Sequence, residues 1–408
     1  METTHNVGVI GCGYWGPNLI RNFRSLPDCN LAFVCDTKRE RLAYLQTVYP
    51  GVKFTVDNRE MIQDPDIHAI AIATPVFTHF DLARQSLLAG KHTFIEKPMA
   101  SSSSQCEELI ELAANRNLIL MVGHTFIYST PVRKIKEIVD CGDIGELLYI
   151  SSQRLNLGLF QKDINVAWDL APHDISIILY LTGEVPASVN SQGKAHFNHE
   201  IEDVATTTLN FKNGLIAFIH NSWLDPNKIR RTTFVGSKKM LVYDDIETQE
   251  KIKIYDKGVD VPPHYDSFAD FHFSYRYGDI HSPRIDDYEP LKKECDHFLQ
   301  CIRGEEYPWT DGYNGMRVVS ILEAAGKSLK LSGMAVPVET YEREVKVRKG
   351  VVMRRNIQAL IVNLNFFLSL DIIVNKHFFT AHKSCSSNFI GVEPTIMNES
   401  NHSIFEVQ

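Results

Sequence analysis

No C-x-x-C pair occurs among the 8 cysteines scattered along the 408 residues. That spacing argues against a zinc ribbon or a disulfide frame and suits reduced thiols. Positive charge is not in surplus either: 42 Lys and Arg stand against 50 Asp and Glu, a formal net charge of -8. Such a chain has no general attraction for nucleic-acid phosphates. No His, Asp and Glu set has the spacing of a metal centre, so no metal is expected. The chain opens almost directly on its first strand, without the basic and apolar regions of a secretory signal, and a cytoplasmic protein is expected. Its long apolar stretch, Ile357 to Val374, is interrupted by Asn363, Asn365 and Asp371. A membrane span needs about 20 mostly uninterrupted apolar residues, and a central Asp costs roughly 2.5–3.5 kcal/mol, so no anchor is expected. With 44% hydrophobic and 23% charged residues, the composition is that of a globular protein long enough for two domains.

What is present starts with the apolar run Val7 to Ile10, which leads into Gly11-Cys12-Gly13-Tyr14-Trp15-Gly16; a second apolar run, Leu31 to Cys35, ends at Asp36. A G-x-G-x-x-G turn between strand and helix, with an acid about 20 residues later, is the requirement of a dinucleotide site. Gly11 permits the tight turn, Gly13 lets the backbone approach a pyrophosphate, and Gly16 lets helix and strand pack closely. The helix N-terminus presents free N–H groups to the phosphates. Gly11, Gly13, Tyr14, Trp15, Gly16 and Asp36 are therefore assigned to the cofactor. NAD is the expected one, because the Asp36 carboxylate accepts from ribose hydroxyls and repels a 2′-phosphate, with Lys38 and Arg39 as tempering cations. Cys12 reads as a small filler of the turn.

Up to about Val122, strands at Ala69–Ala73, Thr93–Ile95 and Leu118–Val122 alternate with helices at Phe77–Ala89 and Ser104–Arg116. This rhythm predicts a doubly wound parallel sheet, an α/β Rossmann domain over residues 1–125. Ser104 and Glu107 have the spacing of a capping box. After Glu146, the runs Leu147–Arg154, Ser188–Ala195, Val204–Phe211, Leu215–Ser222, Thr232–Val235 and Lys251–Tyr255 alternate apolar with polar residues, and Asn213-Gly214 marks a hairpin. A second, α+β domain with a mostly antiparallel open sheet is predicted over 126–345. Its helices are Trp168–Thr182, stopped by Gly183, then Leu291–Arg303 and Asn314–Leu331. The irregular Pro262–Pro290 stretch is a candidate binding loop. Residues 346–408 form an atypical, poorly patterned extension.

Three groups of residues suit chemistry. Thr74 and Pro75, with His79 one turn on, end one predicted strand, and Glu96-Lys97-Pro98 ends the next at the same edge, where ligands of open parallel sheets bind. Trp168-Asp169-Leu170-Ala171-Pro172-His173-Asp174 opens a helix, so Asp169 and His173, four apart, share a face. Alone, Lys97 would read as a surface charge and His173 as a core histidine. In this combination the chain resembles the Gfo/Idh/MocA oxidoreductases over roughly residues 6–340. The resemblance implies a Rossmann domain followed by an α/β domain whose open sheet often makes oligomer contacts, and oxidation of a secondary alcohol on a sugar, nucleotide sugar or cyclitol by a nicotinamide cofactor. It also implies that Lys97 is catalytic, with Asp169 and His173 as the substrate-domain pair. Thr74, Pro75, His79, Glu96 and Lys97 join the cofactor set, and a homo-oligomer formed through the open sheet is expected.

Removing a hydride from a carbinol leaves a proton for a nearby base, and bases work best with a pKa near ambient pH. Lys97 and His173 are rivals for that role, with Asp169 fixing geometry or raising the basicity of the histidine. Asp174 reads as an ordinary helix-start acid. Arg154, Asn165 and Trp168 are placed to line a sugar pocket. The loop Phe273-Ser274-Tyr275-Arg276-Tyr277-Gly278 offers Arg276 for a phosphate, with Tyr275 and Tyr277 for stacking on a base. The Trp-Asp-Leu-Ala-Pro-His-Asp run and the Gly-Tyr-Trp-Gly-Pro-Asn-Leu run resemble members linked to nucleotide-sugar and surface-polysaccharide synthesis. A nucleotide-linked amino sugar such as UDP-N-acetylglucosamine, oxidised at C3, is the expected substrate. An inositol or free sugar is the alternative, and a non-catalytic dinucleotide-binding regulator is the alternative of another class.

Overall fold

The computed structural model describes residues 4–260, 274–286 and 288–339. The expected extension over 346–408 and residues 262–273 and 287 of the Pro262–Pro290 stretch, Phe273 included, lie outside the described residues. The chain begins with β1 (His5–Ile10), α1 (Gly16–Ser25), β2 (Cys29–Cys35), α2 (Arg39–Val48), β3 (Lys53–Thr55), α3 (Asn58–Gln63), β4 (Ala69–Ile72), α4 (His79–Leu88), β5 (His92–Glu96), α5 (Ser103–Asn115) and β6 (Leu120–Gly123). The six strands form a parallel sheet in the order β3-β2-β1-β4-β5-β6, which reverses between β1 and β4. All four residues of β4 are buried, as befits a strand covered on both faces. The reversal and the carboxyl ends of the strands define the edge at which an open α/β sheet binds ligands.

The cap of α5 differs from the expected one. Ser102 accepts from Gln105 N at 3.3 Å, and Gln105 Oε1 accepts from Ser101 N at 3.1 Å, so the reciprocal pair starts two residues earlier than Ser104 and Glu107. Four consecutive serines offered several starts, and the amide of Gln105 closes the box as well as an acid would.

The second half comprises α6 (Thr130–Asp140), β7 (Leu147–Leu155), α7 (Val166–Thr182), β8 (Ser188–Lys194), β9 (Val204–Asn210), β10 (Ile216–Ser222), β11 (Ile229–Gly236), β12 (Met240–Asp244), β13 (Ile252–Asp260), β14 (Ser274–His281), α8 (Pro290–Ile302), α9 (Gly312–Lys330) and β15 (Val336–Pro337). Its strands form a nine-stranded sheet in the order β14-β13-β12-β11-β7-β10-β9-β8-β15, antiparallel except where β7 meets β10. One face packs on α7 and α9 around Ile150, Ile175, Ala217, Phe234 and Ile321, all buried. The other face leaves Leu148, Tyr149 and Phe218 exposed, with the Tyr149 and Phe218 rings 6.4 Å apart. Late in the chain α8 returns to the first sheet: Phe298 meets Phe23 of α1 and Phe94 of β5, with centroids at 6.4 and 5.7 Å. Among the described residues no helix is long and apolar enough to cross a membrane.

Candidate active site

The glycine turn has the geometry its residues imply. Gly11 holds φ +99°, and a Cβ there would lie 2.5 Å from Ala73 O; one at Gly16 would lie 1.9 Å from Gly11 O. Only glycine fits either place. At Gly13 nothing stands closer than Arg41 Nη1 at 3.8 Å, so its backbone is open to approach, and α1 begins immediately after with Pro17 in its first turn. Asp36 is buried at the end of β2. Its carboxylate accepts from Cys12 N at 2.7 Å and Lys38 N at 2.8 Å, and pairs with Arg41 Nη1 at 3.3 Å. The cation at Asp36 is thus supplied by Arg41 rather than Lys38 or Arg39; no local motif announces a guanidinium five residues on. These residues fit a dinucleotide. With Asp36 held in place for a ribose, kcat/KM with NAD is expected to exceed that with NADP by about ten- to a hundredfold, the equivalent of 1.5–3 kcal/mol for hydrogen bonds to a charged group. Equal or better efficiency with NADP would overturn this.

Tyr14 is largely exposed, whereas the Trp15 side chain lies near the Glu96 carboxylate. Glu96 also accepts from Lys97 N at 3.3 Å and sits against Gly123, where a Cβ would come within 2.9 Å of it. Burial lifts the Glu96 pKa to about 7, with Lys97 opposing. A carboxyl whose pKa rises on folding makes the folded state bind more protons than the unfolded one, so its contribution is present below its unfolded pKa and lost as pH rises toward 7. Melting of Glu96→Gln is therefore expected to match wild type at pH 4 and to exceed it at pH 8. Parallel melting curves across that window would contradict this.

His79, assigned above to the cofactor, turns inward instead. Its Nε2 lies 2.8 Å from Thr74 O and its Nδ1 2.8 Å from Pro98 O. Both nitrogens are occupied by backbone carbonyls, so His79 clamps the Thr74-Pro75 turn to the Lys97-Pro98 turn rather than reaching a ligand. Thr74 Oγ1 accepts from Thr78 Oγ1 at 2.7 Å, tightening the same turn.

Lys97 reaches across to the first turn of α7, where Nζ donates to Asp169 O at 2.9 Å and lies 3.7 Å from Asp169 Oδ1. Asp169 Oδ2 accepts from Trp223 Nε1 at 3.1 Å. One helical turn on, the partly exposed His173 ring stands edge-on to Phe126 at 5.1 Å, and its buried Nδ1 has no partner among the described residues. Burial, then the charges of Lys97 and Arg154, hold the His173 pKa well below the usual histidine range. The structure thus brings Lys97, Asp169 and His173 together.

Arg154, expected to line the sugar pocket, is buried instead. Its guanidinium binds Asp174 at 3.1–3.4 Å and lies over the Phe126 ring at 4.8 Å. Asp174, set aside as a helix-start acid, also accepts from Ser152 Oγ at 3.0 Å and Asn221 Nδ2 at 3.4 Å. The pair props Phe126 against His173 from behind. Asn165 caps α7 by accepting from Trp168 N at 3.0 Å and donates to Glu202 Oε2 at 2.8 Å. Asn165 and Trp168 line a cleft of about 490 Å³ with Phe77, Glu202, Lys327 and Lys330.

Arg276 is not brought to this site within the chain. The expected loop is part of strand β14, where Arg276 Nε binds Asp256 Oδ1 at 2.9 Å and Nη2 donates to Lys238 O. Four strand spacings separate β14 from β7, about 19 Å at the usual 4.7–4.9 Å per strand. Tyr275 and Tyr277 are exposed on the same edge strand.

Residues 5–124 match a family described as an oxidoreductase family with an NAD-binding Rossmann fold, and residues 132–242 match the GFO/IDH/MocA C-terminal domain. The myo-inositol 2-dehydrogenase of Thermotoga maritima is 27% identical over 342 residues, covering 79% of this chain and 96% of that protein. The UDP-N-acetylglucosamine 3-dehydrogenase of Acidithiobacillus ferrooxidans is 26% identical over 321 residues, covering 77% of this chain and 93% of that protein. Among solved structures, the WlbA dehydrogenase of Bordetella pertussis in complex with NADH and UDP-GlcNAcA shares the fold, with a TM-score of 0.67 and 20% identity over 83% of this chain and 100% of that one.

Proposed function

Because the chain belongs to the GFO/IDH/MocA oxidoreductase family and is a dehydrogenase with an NAD-binding Rossmann domain, we propose that it oxidises a secondary alcohol of a nucleotide-linked amino sugar, of the UDP-N-acetylglucosamine type at C3. The observation that carries the chemistry is the convergence of Lys97, Asp169 and His173, with Lys97 Nζ 2.9 Å from Asp169 O. When bound, NAD supplies the hydride acceptor, and Gly11, Gly13, Gly16, Asp36, Thr74 and Glu96 are the residues to hold it. Lys97 takes the carbinol proton. His173, kept neutral by burial and by the Arg154 cation, hydrogen-bonds and orients the substrate oxygen. Asp169, fixed by the Trp223 indole, holds the lysine against α7.

The substrate class is supported by the Acidithiobacillus ferrooxidans relative. The Thermotoga maritima relative favours an inositol as the second reading. The test is the absorbance of reduced nicotinamide with UDP-N-acetylglucosamine, myo-inositol and related polyols. Reduction with inositol and none with any nucleotide sugar would promote the second reading. Cofactor binding with no reduction by any of them would favour a regulator. The exposed Leu148, Tyr149 and Phe218 face suits a self-association surface in a cytoplasmic homo-oligomer.

A further inference from the structure

β5 and β6 end side by side, with Glu96 paired to Gly123. Glu96 lies against Gly123, and the next residues, Lys97 and His124, stand just past these two neighbouring strand ends. A tight turn in which His124 N donates to Val122 O at 2.8 Å holds His124 in place. Its ring is 1% exposed, and neither ring nitrogen has a hydrogen-bond partner among the described residues. A buried polar group left unpaired costs about 1–3 kcal/mol, so such a group calls for an explanation. The Lys97 charge is felt at His124, and both are felt at His173. Burial and then Lys97 hold the His124 pKa at about 3, leaving the ring neutral at any working pH.

Lys97 supplies the explanation. A protonated lysine carries three N–H donors. One meets Asp169 O at 2.9 Å and, under the proposed function, a second is left for the substrate oxygen, while Asp169 Oδ1 stands off at 3.7 Å. We propose that His124 is a positioning residue for this dehydrogenase, its neutral imidazole accepting the third Lys97 N–H as the lysine takes up the carbinol proton. In that step the substrate O–H breaks and a lysine N–H forms; His124 neither gains nor loses a proton. An imidazolium has no lone pair to offer and would fail in the role. The inference rests on Lys97 being the base.

His124→Phe, His124→Gln and Lys97→Met are compared with wild type in NAD reduction with UDP-N-acetylglucosamine and myo-inositol, with NADH fluorescence titration and thermal melting alongside. His124→Phe is expected to lower kcat about 10- to 100-fold, the scale of a misplaced catalytic group, with KM and NADH affinity unchanged and melting no lower than wild type. His124→Gln, whose amide oxygen accepts, recovers much of the loss. Trace acetylation of Lys97, read by mass spectrometry, needs no substrate: losing the acceptor favours the reactive free amine, so His124→Phe is expected to label about two- to tenfold faster than wild type or His124→Gln, the worth of one hydrogen bond. Equal Lys97 labelling in all three, or equal kcat for the Phe and Gln variants, overturns the proposal. His124→Leu makes the same comparison if the phenylalanine variant does not fold. Full turnover by Lys97→Met would instead overturn the assignment of the base, a separate failure.

Discussion

Lys97→Met is expected to bind NAD with near wild-type affinity and to lose turnover by about 10²–10⁴, the contribution of a positioned acid or base. Methionine keeps the unbranched stem but removes the amine that bridges from the end of β5 to Asp169 O at 2.9 Å. Nothing else in the cluster replaces it as a base, because burial, with the Arg154 charge nearby, still holds the His173 pKa below the usual histidine range. Steady-state absorbance of reduced nicotinamide gives the turnover, and fluorescence of bound NADH gives the affinity. The loss should fall on kcat and on kcat/KM alike, the pattern of an interaction made in the transition state. Near-normal turnover would remove Lys97 from the reaction.

Asp174→Ala is expected to lower stability by about 3–5 kcal/mol, because it leaves a buried guanidinium without its counter-charge. Arg154 and Asp174 are 5% and 3% exposed, so water offers little compensation. Replacing both, Arg154→Met with Asp174→Leu, should restore most of the loss, since a buried ion pair contributes less than its one-sided removal costs. Urea unfolding of the three chains measures this. The double variant should nevertheless turn over more slowly than wild type, because the guanidinium over Phe126 at 4.8 Å also fixes the ring that faces His173. A single variant as stable as wild type would mean that the pair relaxes into solvent.

How much of this was legible in the sequence depended on how local each interaction is. Gly11, Gly16 and Asp36 act within one β-α-β unit, so spacing placed them; spacing also put Asp169 and His173 on one helix face, but their role came from the family resemblance. The parallel and antiparallel sheets followed from the change of period near Glu146, although β12, Met240–Asp244, was missed. Arg154 was misread because its partner Asp174 lies on another element, and a basic residue before a catalytic helix looks the same whether it faces a ligand or a carboxylate. His79 was ambiguous for a similar reason: its two carbonyl partners, Thr74 O and Pro98 O, become neighbours only when β4 and β5 pair. His124 carried one usable signal, its place just beyond a predicted strand at the ligand-binding edge. Arg276 and its flanking tyrosines had the composition of a binding loop but the alternation of a strand, and pairing with β13 decided between them.

The return of α8 to the first sheet bears on how the protein emerges from the ribosome. Phe298 fills the space between Phe23 and Phe94, yet it is made long after β6 is finished. At 5–20 residues per second, the interval from Gly123 to Pro290 is roughly ten to thirty seconds of synthesis. During that time the nucleotide-binding half exists with an open apolar seam along α1, while eight of the nine strands of the second sheet are being produced. The nascent chain is then most exposed to aggregation in the half that carries the cofactor, and a stalled or shortened product ending before α8 would emerge with that seam uncovered.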